Sequence, residues 1–168
     1  MTRRRAARSV TGLAAGLLTA LVAGCTPGGP RAAAYCSTAP DGQLAVLVAS
    51  AKVRHCFRVE RAETAAQQQK GLMYRTDISP DGGMLFWPYP TGGGGPQVAN
   101  FWMKNTPSAL DIVFIRADGT IARIAENTVP FSEDAVTSGE PVAAVLELVG
   151  GRTAALDIVE GDRVTWHK

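Results

Sequence analysis

The chain has 168 residues, 46% of them hydrophobic and 19% charged, which excludes a disordered chain and fits one domain of ordinary size. Its formal charge of +2 comes from its start: residues 1–24 hold Arg3, Arg4, Arg5 and Arg8 and no acid, so 13 of the 17 basic residues remain beyond them against 15 acids. That mildly acidic balance speaks against nucleic acid as a partner.

The first segment reads as an address. Arg3-Arg4-Arg5 form a basic region, and Val10 to Ala23 is an apolar stretch of small residues and Leu, too short for a membrane span. It ends in Leu21-Val22-Ala23-Gly24-Cys25, which resembles a bacterial lipobox. The resemblance implies cleavage before Cys25 and lipidation of its thiol, so residues 1–24 are expected to be a lipoprotein signal peptide. The alternative is an ordinary secretory peptide with a chance cysteine at its end. Acyl chains contribute about 0.8 kcal/mol per buried methylene, so a multiply acylated cysteine would be a stable anchor. Residues 25–40, rich in Pro, Gly and Ala, are expected to be a flexible tether, followed by a single β-rich domain over 41–168. The expected location is extracytoplasmic, in the periplasm or at the cell surface, with the membrane as partner through Cys25. In an exported chain Cys36 and Cys56 most simply pair as a disulfide clamping the tether to the first core strand, with two free thiols as the alternative. No CxxC redox motif is present.

Pro40-Asp41-Gly42 is a turn, and Leu44 to Ala49 a strand. Val53 to Glu60 alternates, placing Val53, His55, Phe57 and Val59 on one face, so His55 reads as a core or edge histidine. Thr64 is a helix N-cap, Ala65 to Lys70 are good helix formers and Gly71 ends the helix. Met84 to Trp87 is a short buried strand stopped by Pro88 and Pro90. Gly92 to Gly95 are a plain loop, since no Lys-Ser or Lys-Thr pair and no helix follow to make a phosphate cradle. Leu110 to Ile115 is an apolar run with Asp111 as its one polar residue, closed by Ala117-Asp118-Gly119-Thr120, a buried strand entering a hairpin whose return runs from Thr120 to Glu126. Asn127 to Pro141 reads as a polar loop, Val142 to Val149 as a buried strand with Glu147 as its one charge, Arg152 to Val159 as a short helix, and Arg163 to His167 as a closing strand. About seven strands and two short helices point to an α+β domain with a mostly antiparallel, barrel-like sheet.

Six blocks in one order carry a resemblance: Gly71-Leu72-Met73-Tyr74-Arg75, Gly83-Met84-Leu85-Phe86, Phe101-Trp102-Met103-Lys104-Asn105-Thr106, Leu110 to Ile115, Val145-Leu146-Glu147-Leu148 and Gly161-Asp162-Arg163-Val164. Together they resemble the bacterial and archaeal "domain of unknown function 192" family over about residues 56 to 166. The resemblance implies a compact β-rich domain, often secreted or lipid-anchored, and no established activity. The chain departs from the family pattern in a longer Gly-rich insert before Phe101 and in Ala109, where the family usually has Pro.

The polar residues of these blocks set the functional question. Arg75 and Lys104 are candidates to hold an anionic or polyhydroxyl ligand, with Asn105, Glu147 and Glu60 orienting it; a structural network of ion pairs at strand ends is an equally good reading. Asp111 and Asp162 lean towards structure, the first opening a buried strand and the second beside a turn glycine. A glycosidic bond calls for a carboxylate pair such as Glu60 and Glu147, whose separation the sequence does not set. His ligands at zinc spacing are absent, and no cofactor is expected. Met73, Met84 and Met103 sit beside aromatics, so copper is conceivable through thioethers, although Met in such places is more often core filler. Trp87 or Trp102 offers a face on which a sugar ring stacks. These residues support a non-enzymatic binding or interaction module with a polar cluster around Lys104 and an envelope glycan or protein as partner. An envelope polysaccharide hydrolase and a copper-handling lipoprotein stay open as alternatives.

Overall fold

The structure, a computed structural model, describes residues 36, 39–40, 42–50 and 53–167. The expected signal peptide, Cys25 and most of the expected tether lie outside these residues. The elements run β1 (Leu44–Ala49), β2 (Arg54–Ala62), α1 (Ala65–Lys70), β3 (Gly83–Phe86), β4 (Gln97–Phe101), β5 (Leu110–Ile115), β6 (Ile121–Ala125), β7 (Val136–Val142), β8 (Ala144–Val149), α2 (Arg152–Ala155) and β9 (Arg163–His167).

Seven strands form one sheet in the order β6-β5-β8-β3-β2-β1-β9, and β4 and β7 form a separate two-stranded ribbon. The sheet curls until its outer strands approach each other at one corner. There Thr120 bridges Arg163, and the Val164 N–H donates to the Gly119 carbonyl at 2.8 Å. All strand pairs are antiparallel except β2 with β3, which makes the sheet mixed. The parallel pair arises because the chain leaves the end of β2, runs through α1 and a long loop, and re-enters beside β2 in the same direction.

The α+β, mostly antiparallel, barrel-like architecture is therefore present, with nine strands where about seven were expected. Both additions belong to the ribbon. Residues 127–141 are not a loop throughout, since β7 starts at Val136. Its Gly139 and Pro141 hid it, and Pro is tolerated because a ribbon strand has a free edge. The last helix stops at Ala155 instead of continuing to Val159, and Asp157 turns to φ 53°. Cys36 and Cys56 are joined by a disulfide, with Cα atoms 5.5 Å apart. Cys56 lies on β2, so the bridge holds the segment before the domain to the second strand, one removed from the expected first.

Side-chain alternation divides the apolar residues into two cores. The inner one fills the curl with residues such as Val46, Phe57, Leu85, Ile115 and Leu146. The outer one holds Phe86, Ile112, Phe114, Val145 and Met103 and lies against the ribbon and the segment after α1. On β8, Leu146 and Leu148 enter the inner core while Val145 belongs to the outer one, so Glu147 shares the outer face. No helix among the described residues is long and apolar enough to cross a membrane.

Candidate functional site

Three short pieces of chain rise over the outer face and leave a cleft of about 380 Å³ between them. The first is α1, which has no buried residue and is held by its ends. The Thr64 hydroxyl accepts from the Gln67 N–H at 3.3 Å, and the Gln67 side chain accepts from the Thr64 N–H at 2.9 Å, a complete capping box. Gln68 ties the helix down by donating to the carbonyls of Ala62 at 3.0 Å and Pro88 at 2.8 Å. The second wall is the Pro-bounded loop carrying Tyr89, and the third is the end of β4, with Asn100 and Phe101, and Trp102 just after it. Phe101 packs edge-on against Phe86 at 5.0 Å and Phe114 at 6.1 Å and lies 5.7 Å from Tyr89, giving the cleft a rigid aromatic floor.

Glu147 lines this cleft at 5% exposure. Its Oε2 is buried and has no hydrogen-bond partner among the described residues. Removal from water raises the carboxyl from its ordinary value of 4.5 to about 8. An ionised carboxylate in such a place is costly, so the group holds its proton at neutral pH and presents both a donor and an acceptor.

Asp111 shows what a satisfied acid looks like in the same sheet. It is fully buried, and its Oδ1 accepts from the N–H groups of Asn127 at 2.7 Å and Gly151 at 2.8 Å. Its Oδ2 accepts from the Thr153 N–H and hydroxyl, both at 2.7 Å. Asp111 thus fastens β5 to the start of α2 and to the loop after β6, and its role is structural.

Lys104 and Asn105 line a second cleft of about 410 Å³. Gln69, Lys70, Met73 and Trp102 border both clefts. The Lys104 ammonium lies 5.2 Å from the Trp102 ring centroid and 3.5 Å from Glu133 Oε2. Arg75 and Glu60 stand elsewhere. Arg75 is bound to Glu60 at 2.6 Å and to Asp77 at 2.7 Å, which pushes its guanidinium further above its usual range and holds Asp77 below the usual carboxylate range. Glu60, Met84 and Glu147 are register partners across β2, β3 and β8, which places the two glutamates about 10 Å apart at ordinary strand spacing. Leu72 borders both the Glu147 cleft and the Arg75–Glu60 hollow. The structure therefore places Glu147, Lys104 and Asn105 on adjoining clefts and sets Arg75 and Glu60 apart.

The methionines also divide. Met73 borders the clefts, whereas Met84 and Met103 are buried in the outer core. Met103 Sδ accepts from the Thr128 hydroxyl at 3.1 Å. Trp102 is 47% exposed at the clefts, while Trp87 packs on Trp166 at 5.6 Å beside the inner core. Among the described residues no group of three His, Cys, Asp or Glu side chains is placed to hold a metal ion. The sequence reading missed Gly71, Gln68, Gln69, Tyr89 and Asn100 as cleft residues. A glycine ending a helix with no apolar face, directly before Leu72-Met73, was the available signal for Gly71.

The DUF192 family model, described as an uncharacterized ACR, matches residues 46–166. A solved protein of unknown function from Novosphingobium aromaticivorans DSM 12444 is similar at 43% identity and a TM-score of 0.69, over 74% of this chain and 85% of that one. A proposed transcription regulator from Sinorhizobium meliloti 1021 is similar at 42% identity and a TM-score of 0.69, over 74% of this chain and 93% of that one. None of the curated proteins matches the sequence. With the matched span running from β1 to β9, the chain belongs to the DUF192 family.

Proposed function

We propose that the protein is a lipid-anchored, extracytoplasmic binding module that takes a polyhydroxylated, glycan-like ligand in the cleft over Glu147. One observation carries the reading: a buried carboxyl without a partner at Oε2, at the base of a cleft walled by aromatic rings and amides. A protonated acid can both donate to and accept from a hydroxyl, and the side chains of Gln69 and Asn100 do the same. Trp102 adds a half-exposed ring of the kind on which sugar faces stack. Anchoring rests on the lipobox-like Leu21 to Cys25 and on the exported character implied by the Cys36–Cys56 disulfide.

No specific observation favours a hydrolase working through Glu60 and Glu147, because Glu60 is engaged by Arg75 and no second carboxylate borders the Glu147 cleft. Copper is not favoured either, since Met84 and Met103 point into the core.

The test is a thermal-shift screen of the full chain in detergent against neutral oligosaccharides. A ligand of the folded state raises the melting temperature. The expected result is a rise in the parent that disappears in Trp102→Ala and in Glu147→Leu. A flat response to every oligosaccharide overturns the binding reading. Anchoring is tested separately by incorporation of labelled palmitate into the parent and its loss in Cys25→Ala.

A further inference from the structure

We infer that the second cleft is an anionic subsite continuous with the first, so that the ligand is an acidic polyhydroxyl: a sugar bearing a carboxylate or a phosphate. The inference rests on the reading of the Glu147 cleft and names its ligand class.

Two lysines, Lys70 and Lys104, line the second cleft, and among the described residues no acidic one does. Lys70 makes no ion pair among the described residues. Lys104 has Glu133 at 3.5 Å, but the Glu133 side chain is 63% exposed and lies outside the cleft lining. An exposed pair of this kind is weak and screened, and a ligand anion that docks in the cleft displaces it. The Trp102 ring keeps the Lys104 ammonium at the border between the clefts by a cation–π contact.

Asn105 strengthens the argument. The only side-chain contact of its amide among the described residues is Nδ2 to Met73 Sδ at 3.9 Å, and a thioether is a poor acceptor. The amide N–H groups are thus available to an oxyanion beside the two lysines. The backbone there is built at a cost. Asn105 stands at φ 55° and is pinned by the Tyr74 N–H, which donates to its carbonyl at 2.8 Å. Tyr74 itself sits at φ 65°, a conformation unfavourable for an aromatic residue, and such strain collects at functional segments. The division of labour follows from the chemistry. The neutral acid and amides of the first cleft take hydroxyls, and the lysines and Asn105 of the second take the charge.

The test is calorimetric titration of the full chain in detergent with matched probes: an oligogalacturonide against its methyl ester, and glucose 6-phosphate against glucose. The expected result is that the anionic member of at least one pair binds about tenfold more tightly at low salt. That advantage shrinks in Lys104→Ala and in Lys70→Gln, vanishes when both are changed, and grows in Glu133→Gln. The neutral member's affinity changes less than the anionic member's in every variant. Which pair responds distinguishes carboxylate from phosphate. Equal binding of charged and neutral members, or an advantage that survives loss of both lysines, overturns the anionic subsite and leaves the Glu147 cleft standing. Binding of no probe overturns both readings.

Discussion

Gly71 closes the space beside the Glu147 carboxyl: a β-carbon on it would lie 3.7 Å from Glu147 Oε2 and 3.2 Å from Phe86 Cζ. The contact explains why α1 ends in glycine. The residue stands at φ 48° and ψ −138°, a backbone state that side chains rarely adopt.

Gly71→Ala is therefore expected to lose about 1 to 3 kcal/mol of stability from strain and crowding together. It should also abolish binding in the Glu147 cleft. Denaturant unfolding and oligosaccharide titration check the two effects separately. Wild-type stability in the variant would mean that the segment has slack and that the cleft wall is not fixed there. Gly83→Ala is expected to be worse, because its β-carbon would clash with the Glu147 carbonyl oxygen and force β3 away from β8.

The Glu147 carboxyl makes stability depend on pH. With the folded value near 8 and the ordinary value at 4.5, the native state holds a proton that the unfolded chain has released between these limits. Stability contributed by the protonated group is thus complete below about pH 4.5 and lost as pH rises towards 8. At 1.36 kcal/mol per unit the total is on the order of 5 kcal/mol. Glu147→Gln keeps the shape and removes the ionisation, so its advantage over the parent should grow from pH 5 to pH 8. Melting curves across that range decide the matter; parallel curves for the two proteins would show that Glu147 does not titrate in this window.

Asp111 is an anchor, and its removal leaves donors without an acceptor. Asp111→Ala strands the Asn127, Gly151 and Thr153 N–H groups and the Thr153 hydroxyl, and a loss of about 3 kcal/mol or more is expected. Asp111→Asn retains one acceptor and places an amide N–H₂ against donors, so it should recover only part of the loss. Chemical denaturation measures both, and an Asn variant as stable as the parent would remove the anchoring role.

Reduction of the Cys36–Cys56 bridge is expected to cost about 3 kcal/mol, the loop-closure value for a loop of this size. Unfolding with and without reductant measures it, with Cys36→Ser as a control that should show no further response to reductant.

Much of the fold was legible because local signals were strong. The run from Leu110 to Ile115 has no polar break but Asp111, and β5 spans those same residues. Thr64 announces an N-cap, and α1 starts where it places the helix. The ribbon was not legible. Pro141 and Gly139 contradict strand propensity, and only pairing between distant segments, Gln97 with Val142 and Phe101 with Val136, overrides it.

The sequence by itself determined most of the elements, the family and the mildly acidic balance beyond residue 24, because composition, period and caps act over a few residues. Only the tertiary structure decided what the acids do. Asp111 and Glu147 are each the one charge in an apolar strand, yet one meets four donors and the other has an orphaned oxygen beside a cleft. Likewise it set Arg75 and Glu60 against each other and away from Lys104. The strength of a charged group depends on its solvation and on the partners within a few ångströms, and those partners come from segments tens of residues away.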